Sequence, residues 1–458
     1  METEKKFVEY ISDTKFEDLP SEPVDIIKTV ILTVLGTTIA GATEEVSKAV
    51  LNQVREWGGK EEATILIHGG RAPAHNAAFV NSVMARALDF CDANHPGMHV
   101  GSAALPAALA AVELAGGCSG EEFLNAVTVG TEVANRINLG SVYNGFDPSG
   151  VCGIFAATAI AGKILGLNQE QMLNALALAL NKSGGSRQSI IEGVLSVVLI
   201  QGFTAQNAII CTQLAQKGMT GPKNFLEGTS GYFHLYGNDK CDAQELVGDL
   251  GKRFELTKTL FKQYPSCGLT QSSTAGILEI IAEKGLTPED IDRIDVTVAP
   301  HVYNMVGQPY KIGDNPKVNA QYSIKYCVAN ALLRKSSKLK HFDEPYVKEP
   351  QIMPLTKKVH VTGDPALDKR GLSAMDMRVR TKDGEVYYQS MDFVPGSPEK
   401  PLTDEEHMAR FQDCVSYSGK PLPKENIEKL VSLVNHLEEV EDVRSLIPLL
   451  ISNNSYKV

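Results

Sequence analysis

From residue 22 to about 235 the apolar positions recur at helical spacing, segment after segment. The stretches "PVDIIKTVILTVLGTTIAGA", "AHNAAFVNSVMARALDF", "SAALPAALAAVELAG", "GEEFLNAVTVGTEVANRIN", "GVCGIFAATAIAGKILGL", "EQMLNALALALNKS" and "TAQNAIICTQLAQKG" are rich in Ala and Leu and are separated by Gly or Pro. Several are apolar nearly all round, which predicts interior helices of a large bundle, with Ala and Gly permitting close approach. In "NQEQ" an N-cap Asn168 with Gln171 three residues on forms a capping-box start.

The pattern changes after "YPSCG" at 264–268. One more helix, "LTQSSTAGILEIIAEKG", precedes a strand in which Ile291, Ile294, Val296 and Val298 supply the apolar positions. "KKVHVTGD" reads as a further strand, and "AMDMRVRTKDGEVYYQSMDF" as a hairpin turning at Asp383-Gly384. Between them "NAQYSIKYCVANALLRK" reads as one helix. The last segments, "EEHMARFQDCVSYSG" and "ENIEKLVSLVNHLEEVEDVRSLIPLL", return to helical spacing and have no second core of their own. The expected architecture is mainly α: a helical domain of residues 1–265 on which 396–458 pack back, and a smaller α+β domain of residues 266–395.

Composition narrows the function. The chain has 458 residues, 43% hydrophobic and 22% charged, with a net charge of −11. It has no Lys/Arg run longer than a pair, which excludes the concentrated basic surface that nucleic acid requires. The charged N-terminus has no signal-peptide apolar region, and no apolar stretch is expected to reach the length of a membrane span, so the expected location is the cytoplasm. Eight scattered cysteines without a CxxC pair fit reduced thiols. No Rossmann fingerprint, Walker loop or GxSxG elbow occurs where it could work, which points to side-chain chemistry without a cofactor.

The candidate chemistry lies in "LDFCDANHPGMH", residues 88–99, which carries Asp89, Asp92, His95 and His99. His95 and His99 stand four apart, but Pro96-Gly97 between them makes a turn rather than the helix of a zinc motif. Acidic residues do not alternate as in a hard-cation loop. Carboxylates beside imidazoles fit general acid/base work, because the carboxylate sets the tautomer and raises basicity. Lys262, beside "YPSCG", stands at the junction of the two domains and therefore at a cleft. Cys152 and Cys267 read as small buried residues rather than nucleophiles.

"AFVNSVMARALDFCDANHPGMH" resembles the signature of the MmgE/PrpD family, which includes 2-methylcitrate dehydratase, cis-aconitate decarboxylase and iminodisuccinate epimerase. "GVCGIFAATAIAGKILGL", "FKQYPSCG" and "NAQYSIKYCVANALL" match further family segments in order along nearly the whole chain. The resemblance implies a homodimer whose cofactor-free, metal-free site lies between a helical and an α+β domain and binds a small carboxylate. Asp89, His99 and Lys262 match acid/base and lysine positions, and Tyr310 lies near the family's active-site tyrosine. Four departures stand out. Arg86 replaces a histidine, at helical spacing from Asp89; Ala93 replaces a threonine of the decarboxylases; and Asp147 in "GFDPSG" replaces a turn histidine. Finally, "VVLIQG" places Val197, Val198 and Ile200 where relatives carry cations.

The family's reactions share a carbanion or enolate next to a carboxylate, which needs a base and donors for the oxyanion. The expected roles are His99 as base or proton donor, Asp89 orienting it, Lys262 on a substrate carboxylate, and Tyr310 or His95 as the second acid. Arg86, Ala93, Asp147, Val197 and Cys267 complete the expected substrate surroundings, with Arg86 or Arg187 able to replace the missing cations. Dehydration, decarboxylation and epimerisation all stay open, as does a member that binds a ligand without turning it over.

Overall fold

The computed structural model describes residues 2–94, 97–371 and 373–452. The helical spacing of the first half becomes a bundle built on Ser21–Gly41, Ala74–Arg86, Gly101–Ala115, Gly120–Leu139, Gly153–Ile164 and Leu199–Gln216. The helices rich in small residues are buried almost throughout, as Gly101–Ala115 shows, because Ala leaves room for neighbours on every side. Asn168 caps Gln169–Leu180 as a full box: its Oδ1 accepts from Gln171 N–H at 2.9 Å, and its own N–H donates to Gln171 Oε1 at 3.1 Å.

Two of these helices do reach the length and apolarity of a membrane span, contrary to the expectation from sequence. They are Ser21–Gly41 and Leu195–Gln216, the latter including a 3-10 turn, and most of each apolar window is buried inside the protein, 72% and 56%. Their hydrophobicity is satisfied by neighbouring helices.

A second apolar core gathers around a four-stranded sheet in the order Val359–Gly363, Ile291–Val298, Met375–Thr381, Val386–Met391, the first pair parallel and the others antiparallel. Ile291, Ile294, Val296 and Val298 all point into this core. Helices Gln271–Lys284 and Ile324–Arg334 pack against the sheet. The molecule is thus a large helical domain joined to a smaller α+β domain. Apolar residues after the sheet, among them Leu402, Phe411, Leu430, Leu437 and Leu450, belong to the first core.

The single helix expected over "NAQYSIKYCVANALLRK" is two, Pro316–Gln321 and Ile324–Arg334. Ser323 starts the second by accepting from Tyr326 N–H at 3.3 Å, and Tyr322 falls at the break.

Candidate active site

Three chain segments meet where the two cores join. Ala74–Arg86 ends at Arg86, and Asp89 then takes a left-handed backbone, φ +50°. That conformation costs a residue other than glycine roughly 1–3 kcal/mol and is held only where its surroundings demand it. A short antiparallel ribbon pairs Asp92 with Phe261 and Ala93 with Leu260, which sets Lys262 beside Asp89. Lys262 Nζ donates to Asp89 Oδ1 and to the Asp89 main-chain carbonyl, each at 2.8 Å. Arg86 Nη1 closes on the same Oδ1 from the other side. The pairing expected from helical spacing therefore forms, but across a helix end rather than along a helix face.

All three groups are withdrawn from solvent, with Lys262 1%, Arg86 2% and Asp89 4% exposed. Burial alone would raise the Asp89 pKa; the charges of Arg86 and Lys262 overcome it and hold the carboxyl well below the usual carboxylate range. The triad carries two cations and one anion. Asp89 Oδ2 and Arg86 Nε have no protein partner among the described residues, so the triad retains hydrogen-bonding capacity for a ligand.

His99 is held differently from the sequence expectation. Its Nδ1 lies 2.7 Å from the carbonyl oxygen of Asp92, which can only accept, so Nδ1 carries the proton and Nε2 keeps the lone pair. The Asp92 main chain, not the Asp89 carboxylate, thus orients the imidazole. The His99 main-chain N–H donates to Ser149 Oγ at 3.0 Å. Burial, then Arg86 and Lys262, push the His99 pKa well below 6.5, leaving a neutral base at neutral pH. The Asp92 carboxylate accepts from Gly101 N–H at 3.0 Å at the start of Gly101–Ala115.

Asp147 caps the short helix Pro148–Val151 through Ser149 N–H at 2.8 Å, so it positions the segment whose hydroxyl holds His99. Cys267 is buried at the junction, its N–H bonded to Gln321 O at 3.0 Å, and burial raises its thiol pKa, which keeps it neutral. Ala93 lies half-buried in the ribbon. Tyr310 is elsewhere: it packs 5.4 Å from Tyr326 in a separate apolar cluster with Phe342 and Val347. Val197 and Val198 are part of the first core rather than a binding wall, while Ile200 packs against Gly150 and Gly185. His95 lies outside the described residues.

Sequence reasoning missed Tyr322. Gln321 Nε2 donates to Leu88 O at 2.7 Å and Pro265 O at 3.1 Å, tying the helix break to both site loops. Burial and the Asp89 charge push the Tyr322 hydroxyl pKa well above 10, against the opposing charge and hydrogen bond of Arg86, so it stays a proton donor. The legible signal was Ser323, a strong N-cap residue that starts a new helix and so marks the break at Tyr322. Among the described residues no three His, Cys, Asp or Glu side chains converge as a metal's ligands. A groove of about 900 Å³ lined by Ser12, Phe16, Leu114, Glu121, Lys163 and Met172 shares no residue with this cluster.

The MmgE/PrpD N-terminal domain profile matches residues 5–244 and the C-terminal domain profile residues 264–436. The chain is 26% identical over 460 residues to a human cis-aconitate decarboxylase, covering 97% of this chain and 94% of that protein. It is 25% identical over 470 residues to the cis-aconitate decarboxylase of Aspergillus terreus, covering 96% and 94%.

Proposed function

Because this chain belongs to the MmgE/PrpD family, we propose that it is a cofactor-independent lyase or isomerase that makes or quenches a carbanion next to a carboxylate of a small organic acid. The observation that carries this reading is His99, its Nδ1–H given to the Asp92 carbonyl and its Nε2 left as base, beside the Arg86–Asp89–Lys262 triad of two cations and one anion. The base takes the proton on carbon. The adjacent carboxylate then gains charge as an enolate, which the net positive triad and the Tyr322 hydroxyl stabilise. In a dehydration Tyr322 or protonated His99 delivers a proton to the leaving hydroxyl; in an epimerisation Tyr322, as the second acid, delivers one to the face opposite His99.

Decarboxylation is the second reading, favoured by relatives named cis-aconitate decarboxylase. Carbon dioxide then replaces the proton as leaving group, and the Tyr322 hydroxyl quenches the carbanion. Ala93, Asp147 and Ile200, where the resemblance implies a threonine, a histidine and a cation, argue for a substrate with fewer carboxylates than cis-aconitate. The working unit we propose is a homodimer. Phe203 (49% exposed) and Leu214 (39%) lie with Leu199 and Ile210 along one outer helix face that a second copy would cover, which sedimentation would test.

Incubation with cis-aconitate, 2-methylcitrate, tartrate and aminodicarboxylates in deuterated water decides among these. Deuterium in unconsumed substrate marks an isomerase, rising alkene absorbance a dehydratase, and released carbon dioxide a decarboxylase. No exchange and no turnover across the panel would remove the carbon-acid reading and leave a ligand-binding member.

A further inference from the structure

Two of the cations around the site are already committed. Arg86 and Lys262 both engage Asp89. Arg410, behind the loop, is held by Thr33 Oγ1 at 3.4 Å and Phe90 O at 3.2 Å. Arg187 is different. Among the described residues it makes no ion pair, and its guanidinium contacts two weak acceptors, the ring of Tyr143 at 4.8 Å and the sulfur of Met305 at 3.2 Å. Neither satisfies a planar fork of N–H donors that suits a carboxylate.

The backbone fixes where this fork stands. Arg187 N–H donates to Gly145 O at 3.1 Å, Asp147 N–H to Gly185 O at 3.0 Å, and Phe146 bridges Ser186, so 185–187 run antiparallel to 145–147. That second segment leads into Ser149, which holds His99. Tyr143, under the guanidinium, reaches the histidine loop: its hydroxyl lies 3.3 Å from where a side chain at Gly97 would begin. Met305 belongs to the flank of the other core, so Arg187 spans the seam between the two. The Arg187 charge is felt at Cys267, which also feels Asp89 and Lys262. Asp147, the nearby carboxylate of this strand pair, is occupied with Ser149 N–H.

We propose that the Arg187 guanidinium binds a substrate carboxylate across the domain seam, remote from the one activated at His99, and so makes the site selective for dicarboxylates over monocarboxylates. This rests on the carbon-acid reading for the identity of the reacting end. It also supplies a location for the charge that Val197 and Val198, buried in the helical core, cannot provide.

Calorimetric binding of succinate and butyrate, which differ by one carboxylate, tests it on wild type, R187Q and R187K. Wild type should prefer succinate by roughly ten-fold or more, as expected of a charge-assisted fork. R187Q should lose most of that preference while binding butyrate within about two-fold of wild type, and R187K should regain part of it. For a turned-over dicarboxylate, R187Q should raise KM with kcat little changed. Equal weakening of both acids, or unchanged succinate affinity, would overturn the proposal. The two hypotheses fail separately: a preference lost in R187Q supports this site even if no acid exchanges deuterium, whereas exchange without any wild-type preference ends this proposal alone.

Discussion

Lys262 donates from one ammonium group to both the carboxylate and the main-chain carbonyl of Asp89, at 2.8 Å each. The second bond is possible because the left-handed backbone at Asp89 turns its carbonyl inward. One lysine thus fixes a charge and a strained turn together, joining segments 173 residues apart.

Lys262→Met should abolish turnover and destabilise the fold by roughly 1–3 kcal/mol, because Asp89 loses both bonds to the ammonium but keeps Arg86 as its partner. Urea denaturation measures it. In the Asp89→Asn, Lys262→Met double variant the loss should fall well short of the sum of the singles, since the two share one interaction. An additive result would mean the pair is energetically uncoupled.

Acid should weaken the protein in a definite order. His99 and Asp89 both bind protons less tightly folded than unfolded, so their contributions are complete above the unfolded values, about 6.5 and 3.9, and are lost as pH falls. His68, His341 and His407, each pushed by burial down to about 4, act in the same sense. Asp92, raised by burial, opposes them above about pH 3.9. Denaturation midpoints should therefore decline below about pH 6.5, less steeply in His99→Gln. The acid limb of kcat/KM should fall below the ordinary histidine range, and a limb centred near 6.5 would contradict a depressed His99.

Tyr322→Phe removes a hydroxyl beside Arg86 and Asp89 while keeping the ring against the second core. kcat should drop by roughly ten-fold or more, as for loss of a hydrogen bond made to a charged group, with the thermal midpoint nearly unchanged. Tyr310→Phe, in its separate cluster, should leave kcat within about two-fold. Reversed effects would return the second acid to Tyr310.

Val197→Lys should destabilise by roughly 3 kcal/mol or more, since it places an ammonium in the helical core. Ile200→Lys, at a half-buried position near Asp147, should be tolerated far better. Thermal melts of the two compare them directly; a stable Val197→Lys enzyme would show that this wall opens to the site.

Much of the fold was readable because burial follows periodicity: the Ala-rich helices, the strand Ile291–Val298 and the box at Asn168 occur where their patterns stand. The site was legible only by segment. Asp89, His99 and Lys262 do meet, yet their partners were misassigned, because which oxygen faces Nδ1 of His99 depends on a two-residue ribbon between 92–93 and 260–261 that carries no sequence signal. Tyr322 was hidden inside an apolar run whose helical spacing continues across the break. Apolar residues at 197–198 read equally as pocket wall or core, since pattern gives burial and not the neighbour.

The packing of residues 402–450 onto the first core has a consequence for biosynthesis. Phe90, between Asp89 and Cys91, receives its bond from Arg410, Ile67 N–H bonds Leu450 O, and Gly120 N–H bonds Val440 O. At 5–20 residues per second a ribosome needs roughly a quarter of a minute to a minute to travel from Phe90 to Arg410. Throughout that interval the nascent helical bundle carries an uncovered apolar face on Ser21–Gly41, against which the helix Asp404–Tyr417 later docks. Chaperone engagement during translation should therefore concentrate on chains stalled before residue 404, and the loop that carries Asp89 and His99 gains its Arg410 contact only when this late-made helix arrives.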